Sequence, residues 1–271
     1  MSILSIQSHV TYGYVGNKAA VFPLQSMGYD VWPINTVQFS NHTGYGKWTG
    51  QLFSAQHIRE IVDGIEQLGV TAQCQAILSG YLGAGEIGQC VLETVARFKQ
   101  ANADLVYLCD PVIGDVGRGI FVKPEVLDFF KCNLHADIIT PNHFEAEILT
   151  GKNIETLADA KQAAAYFHER GIKIVVITSL RISSQPQDKI TVFLSDQGES
   201  ALAETPLYHF EVAPNGTGDL FSALFLGSYL KLKKSVPALH ASLALMDVVM
   251  AETYRQKSRE LKVLAVSRAL L

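Results

Sequence analysis

The sequence predicts an α/β fold in which a mainly parallel sheet is covered by helices on both faces. Three observations carry that prediction. Short apolar or β-branched segments alternate with segments of helical period along the whole chain. From Ala76 onward the strand segments are nearly continuous apolar runs, such as Ala76-Ile77-Leu78-Ser79 and Ile174-Val175-Val176-Ile177-Thr178, which suits strands buried on both faces. The 271 residues contain no low-complexity linker, long charge run or internal repeat, so a single domain over residues 1–271 is the economical reading.

The elements follow in order. Ile3 to Gln7 reads as a strand and leads into the loop Ser8 to Asn17, where Asn17 can cap a helix running to about Met27. A second strand spans Asp30 to Val37. The polar, glycine-containing loop Ser40 to Trp48 comes next, then an amphipathic helix from Ser54 to Leu68. Ala76 to Ser79 is a buried-type strand; Gly80 to Gly85 turns the chain into a helix from Glu86 to Gln100. Leu105 to Cys109 is a strand ending on Asp110-Pro111, and Gly114 to Gly119 is a flexible turn that could serve as a flap. A short helix from Pro124 to Phe130 precedes the strand Asp137 to Thr140, the break Pro141-Asn142 and helices at His143 to Thr150 and Thr156 to Arg170. Ile174 to Thr178 is a strand; the polar loop Arg181 to Asp188, a strand from Ile190 to Leu194 and a turn at Asp196-Gln197-Gly198 follow. Extended chain then runs to Val212, and the rest is helical, with Pro237 near the start of the last long helix.

Composition narrows the function. The net charge of -4 and pI near 6.1 give no basic footprint for nucleic acid or an anionic membrane, so small-molecule chemistry is expected. Cys74, Cys90, Cys109 and Cys132 show neither a C-x-x-C nor a zinc spacing, which points to reduced thiols and a cytoplasmic setting. No basic and long apolar leader precedes Ile3, and the most apolar helix, Leu220 to Leu232, is too short to cross a bilayer.

The most informative stretch is Val212 to Ala223. Gly216-Thr217-Gly218 falls at the start of an apolar helix, where free N–H groups, close backbone approach and the helix dipole favour an anion such as phosphate. Asp219 in the same turn is placed to take a proton from a hydroxyl attacking that phosphate; it could equally just charge the helix start, and the motif alone does not separate the two. Two rival nucleotide motifs fail. Gly44-Tyr45-Gly46-Lys47-Trp48 lacks the Ser or Thr that a Walker loop needs, and Gly83-Ala84-Gly85-Glu86-Ile87-Gly88 sits too far from Leu78 for a dinucleotide turn. Asp110 and Glu145 are the carboxylates best placed for a metal, although Asn142 and Glu145 also fit a capping box. Thr140 and Thr178 stand at strand ends. His42 and Thr43 lie in a loop with Phe39, Tyr45 and Trp48 that would suit a flat aromatic ring, and His9 is left open.

Taken together, Gly216-Thr217-Gly218-Asp219, Asp110-Pro111-Val112 and Thr140-Pro141-Asn142-His143-Phe144-Glu145 resemble the ribokinase-like small-molecule kinases. Gly13-Tyr14-Val15-Gly16-Asn17, Ser40-Asn41-His42-Thr43-Gly44-Tyr45 and Ser79-Gly80-Tyr81 narrow the resemblance to the pyridoxal kinases, from the first strand to about Tyr229. The resemblance implies a three-layer α/β/α fold and transfer of the γ-phosphoryl of ATP to the 5′-hydroxymethyl group of pyridoxal, pyridoxine and pyridoxamine. It implies Asp219 as base with Gly216, Thr217 and Gly218 as the anion hole, and Ser8, Val15, Phe39, His42, Thr43 and Tyr81 around the ring. Asp110 and Glu145 would organise Mg²⁺ or another divalent cation, with Thr140 and Thr178 beside the phosphates and K⁺. A homodimer is implied too, its site covered by loops. The flap is short, and Pro214-Asn215 is not the apolar pair expected before the glycine turn. Alternatives are a hydroxymethylpyrimidine or sugar kinase of the same superfamily, or a non-catalytic B6-binding protein.

Overall fold

A computed structural model describes residues 1–184, 186 and 188–270. Two positions of the expected loop Arg181 to Asp188, 185 and 187, lie outside the described residues, as does 271 at the end of the expected domain. The chain opens with β1 (Ser2–Tyr12), α1 (Asn17–Ser26), β2 (Asp30–Asn41), a short β3 (Gly50–Leu52) and α2 (Ala55–Gln67). Then come β4 (Cys74–Ser79), α3 (Gly85–Ala101), β5 (Val106–Cys109), the hairpin strands β6 (Gly114–Asp115) and β7 (Gly119–Ile120), and α4 (Pro124–Asn133). It continues with β8 (Ile138–Ile139), α5 (His143–Thr150), α6 (Leu157–His168), β9 (Ile174–Leu180), β10 (Lys189–Asp196) and β11 (Glu199–Pro206). Three helices follow, α7 (Thr217–Leu232), α8 (Ser235–Arg255) and α9 (Val266–Leu270).

The main sheet runs in the order β11-β10-β9-β8-β5-β4-β1-β2-β3. Every pairing from β9 through to β2 is parallel, and β10, β11 and β3 add antiparallel edges. One face is covered by α2 to α6 through Ile58, Val91, Phe98, Phe130, Leu149 and Phe167. The other is covered by α1, α7 and α8 through Leu24, Leu224, Phe225, Leu239 and Val249. This is the expected three-layer α/β/α arrangement. Helix α7 is apolar all round because it lies between the sheet and α1 and α8. Leu220, Leu224, Phe225 and Leu226 have no exposed surface, and burial contributes about 1.5–3 kcal/mol for each such side chain. That packing fixes the start of α7 rigidly at the sheet edge. Helix α8 has the length and apolarity to span a bilayer, yet Leu239, Leu243, Met246 and Val249 pack it into the core.

Several local expectations are revised by the structure. β2 runs on to Asn41 because β1 continues beside it, with Val10 opposite Phe39 and Tyr12 opposite Asn41, and polar side chains do not prevent such a ladder. β3, too short to carry a pattern, pairs antiparallel with β2. Asn17 does not cap α1, whose N-cap is Gly16 with no side-chain bond. Its buried amide instead donates to the Ile34 carbonyl (2.9 Å) and Asn35 Oδ1 (2.8 Å) and accepts from Ser5 Oγ (2.7 Å). Asn17 thus ties α1 to both β1 and β2. The chain leaves β1 for β2 and β3 on one side and returns to β4 on the other, which puts the topological switch beside β1. The glycines of the rejected dinucleotide pattern have packing roles: β-carbons on Gly85 and Gly88 would press into the Glu125 carbonyl and the Phe129 ring of α4.

Candidate active site

Parallel strands all end on one edge of the sheet, and most of the expected site residues stand there. β1 leads to the loop Gly13–Gly16, β4 to Tyr81, β5 to Asp110 and β8 to Thr140. Thr178 lies near the end of β9, where its N–H donates to the Pro141 carbonyl (2.9 Å). The next residue, Ser179, adopts φ +49, a left-handed conformation that a side chain disfavours and that marks this strand end as strained.

The turn before α7 presses against the loop after β1. Gly216 adopts φ +86, and a β-carbon there would overlap the Tyr14 carbonyl oxygen, so glycine is required for both reasons. Gly16, at φ +53, lies equally close to the Ser8 carbonyl and hydroxyl, which draws Ser8 to the same place. No side chain caps α7, whereas Ser54, Asn142 and Thr156 cap α2, α5 and α6. The first N–H groups of α7 therefore remain open to an anion.

Asp219 lies in this turn, Asp110 lies beside Gly218, and Glu145 is near enough to Asp110 to act on its charge. Burial pushes the Asp219 carboxyl above its ordinary range, against the pull of a hydrogen bond from the Gly16 N–H. Asp110 is 4% exposed, and its carboxyl is held well above the usual range by burial and by the charges of Glu145 and Asp219. Its side-chain partner is Ser222, whose hydroxyl is 3.3 Å away and 2.8 Å from the Thr140 hydroxyl. Ser222 stands one helical turn beyond Asp219, on the same face of α7, and that i, i+3 spacing could have revealed it.

Glu145 is built in more deeply. Its Oε1 accepts the N–H groups of Ile113 (2.9 Å) and Gly114 (3.4 Å), and its Oε2 accepts that of Asn142 (2.9 Å). The Asn142 side chain accepts the Glu145 N–H in return (2.9 Å) and donates to the Gly114 carbonyl (2.8 Å). The capping box is therefore present, and the same two side chains clamp the base of the β6–β7 hairpin. Burial pushes the Glu145 carboxyl up to about 7 despite these donors. At the hairpin tip, Arg118 donates to Asn215 Oδ1 (2.8 Å), so the polar residue unexpected before Gly216 is the hairpin's anchor.

The loop expected to meet the ring forms the other wall. Gly44 lies against the Asn215 side chain, and Phe39 packs near Trp48 with ring centroids 6.3 Å apart. His42 is buried, Thr43 is exposed, and Tyr81 is partly buried with its carbonyl accepting the Thr36 hydroxyl (2.7 Å). Val15 sits in the loop that touches Gly216. His9 is bonded to Gln38 (2.9 Å), its imidazole held below its ordinary range by burial. Sequence reasoning missed Glu260, which reaches this wall from beyond α8 without any local signal. A separate cavity of about 210 Å³ lies at the opposite edge of the sheet, where Lys99 (2.7 Å) and Lys173 (3.1 Å) both pair with Asp137.

A parallel sheet whose carboxyl edge carries an uncapped glycine turn and an acid at the start of a buried helix defines a ribokinase-like small-molecule kinase. The phosphomethylpyrimidine kinase family matches residues 47–260. A pyridoxal kinase of Deinococcus radiodurans is 46% identical, over 97% of this chain and 91% of its own. One from Corynebacterium diphtheriae is 42% identical over 100% of this chain and 95% of its own. The solved pyridoxal kinase of Leishmania donovani in complex with ADP and pyridoxine superposes with a TM-score of 0.89 at 36% identity, covering 99% of this chain and 95% of that one. The chain belongs to the pyridoxal kinase family.

Proposed function

We propose that the chain transfers the γ-phosphoryl group of ATP to the 5′-hydroxymethyl oxygen of pyridoxal, and of pyridoxine and pyridoxamine, giving the 5′-phosphate and ADP. The observation that carries this reading is the Asp219 carboxylate at the open N-terminus of α7, within a chain of this family. Solved relatives in complex with ADP and pyridoxine or pyridoxamine support the choice of substrates. Asp219, made more basic by burial, accepts the hydroxyl proton as the oxygen attacks. The N–H groups of Gly216, Thr217 and Gly218 stabilise charge on the moving phosphoryl group, an effect worth on the order of 10²–10³ in rate per donor. Ser8, Val15, Phe39, His42, Thr43 and Tyr81 orient the ring, and the hairpin held by Arg118 and Glu145 keeps water from the phosphates.

A divalent cation such as Mg²⁺ fits Asp110, a buried carboxylate with one long hydrogen bond and two like charges nearby. The oxygens of Glu145 already take three backbone donors, so Glu145 would act on that cation through water. Among the described residues no three acidic, histidine or cysteine side chains gather to hold a metal alone, so the nucleotide's phosphates would complete its shell. When bound, the cation neutralises charge on the phosphate oxygens. Family resemblance supports K⁺ beside Thr140 and Thr178 and a homodimer, and four unpaired cysteines support a cytoplasmic location.

The match to phosphomethylpyrimidine kinases favours a second substrate, hydroxymethylpyrimidine. ADP release measured with ATP and each of pyridoxal, pyridoxine, pyridoxamine and hydroxymethylpyrimidine tests both. The B6 vitamers are expected to give the higher kcat/KM; release with hydroxymethylpyrimidine alone would replace the reading, and none with any acceptor would end it.

A further inference from the structure

Glu260 joins the two loops that wall the Asp219 turn. It is 7% exposed and sits between Ser258, which bonds its main chain at 2.7 and 3.2 Å, and Leu261, which is wholly buried. Its Oε1 accepts from Tyr45 Oη (2.6 Å) and lies 2.9 Å from His42 Nε2; its Oε2 accepts the Tyr14 N–H (3.1 Å). The carboxylate lies so close to Gly13, at φ +93, that a β-carbon there would strike it. Next to it, Arg259 donates to the Gly44 carbonyl (2.6 Å) and stacks its guanidinium on the Tyr45 ring, 3.8 Å from the centroid. Burial alone would push the Glu260 carboxyl up, but the donors His42 and Tyr45 hold it below its ordinary value. These loops are the ones that touch the catalytic turn, since Tyr14 meets Gly216 and Gly44 meets Asn215.

An ionised carboxylate only accepts, so His42 carries its hydrogen on Nε2. Nδ1 is then the nitrogen that Glu260 leaves without a partner. It is buried, has no hydrogen-bond partner, and faces Gly44 beside the Asn215 amide. We infer that Glu260 is a positioning residue for the phosphoryl acceptor, fixing the Gly13–Gly16 and His42–Tyr45 loops against the Asp219 turn. This inference rests on the kinase reading above and extends it to the acceptor half of the site.

The test uses Glu260→Gln, which turns one of the two accepting oxygens into a donor while keeping the shape. Pyridoxal binding is measured by calorimetry without ATP, alongside KM for pyridoxal and for ATP. Loss of a charge-assisted bond predicts roughly 10-fold weaker pyridoxal binding and an equal rise in its KM, with the KM for ATP within about twofold of wild type. Tyr45→Phe removes one donor without disturbing the ring stacking and is expected to shift the same two quantities by roughly threefold, which keeps the inference testable if the first variant does not fold. A Glu260→Gln/His42→Gln double variant should bind pyridoxal little worse than the weaker single one, because both act through one contact. Unchanged pyridoxal affinity in Glu260→Gln and Tyr45→Phe, or parallel changes for pyridoxal and ATP, would overturn it. A wild-type protein that binds pyridoxal but releases no ADP would refute the kinase reading alone, because the role of Glu260 is read from binding without turnover.

Discussion

Replacing Glu145 by glutamine should change how stability depends on pH, and the structure gives the sign and the size. The carboxyl rises from 4.5 in the unfolded chain to about 7 in the folded protein. The folded state therefore holds this proton more tightly. Its contribution is present in full below about pH 4.5, declines as pH rises, and is gone above about 7. A rise of that size corresponds to on the order of 3 kcal/mol. The glutamine side chain of Glu145→Gln cannot ionise, but its amide nitrogen would face the N–H of either Asn142 or the Ile113–Gly114 pair, at a cost of about 1–3 kcal/mol. The variant should accordingly be the less stable protein at pH 5, with the gap closing or reversing by pH 8. At roughly 2 °C per kcal/mol for a chain of this size, the difference in Tm should move by about 6 °C across that window. Calorimetric melts of both proteins with chelator and without nucleotide, at half-unit steps from pH 5 to 8.5, provide the measurement. Asp219 adds the same slope to both proteins, whereas the variant lacks the Glu145 charge that helps raise Asp110, so the difference between curves reads Glu145 together with its effect on Asp110, both of the same sign. Two parallel curves would refute the burial argument.

Other changes test the catalytic role proposed for the Gly216 to Asp219 turn. Asp219→Asn should lower kcat by roughly 10²–10⁴ with little change in ATP affinity, and in the wild type the acid limb of kcat/KM should lie above the ordinary aspartate range, because burial raises this carboxyl. Wild-type turnover in the variant would remove Asp219 from the chemistry. Gly216→Ala places a β-carbon on the Tyr14 carbonyl at φ +86, a conformation that alone costs about 1–2 kcal/mol, so both Tm and turnover should fall; an unchanged crystal structure with full activity would contradict the packing described.

The legible part of this protein is what local pattern can carry. Alternating strands and helices, the apolar run of α7 and the Gly216 to Asp219 turn are each contained within a dozen or so neighbouring residues, where periodicity and turn chemistry act. Asn142 and Glu145 are readable as a cap for the same reason, since both partners lie within one helical turn. What escapes is set by distance along the chain. Asn17 reads as a cap because its bonds to Ile34 and Asn35 depend on β2 lying parallel beside β1, which no local spacing shows. Asn215 looks misplaced until the hairpin brings Arg118 to it from 97 positions away. The extension of β2 to Asn41 and the existence of β3 come from ladder partners that override polar composition.

The bond between Tyr14 and Glu260 spans 246 positions, and the contact of Gly216 with Tyr14 is nearly as long in sequence. Closing a loop over such a separation costs more chain entropy than forming a local helix or turn. The bonds from Glu260 that join the loops at residues 13–16 and 42–45 cannot form until residue 260 has been synthesised. Until then the two loops lack the carboxylate that joins them.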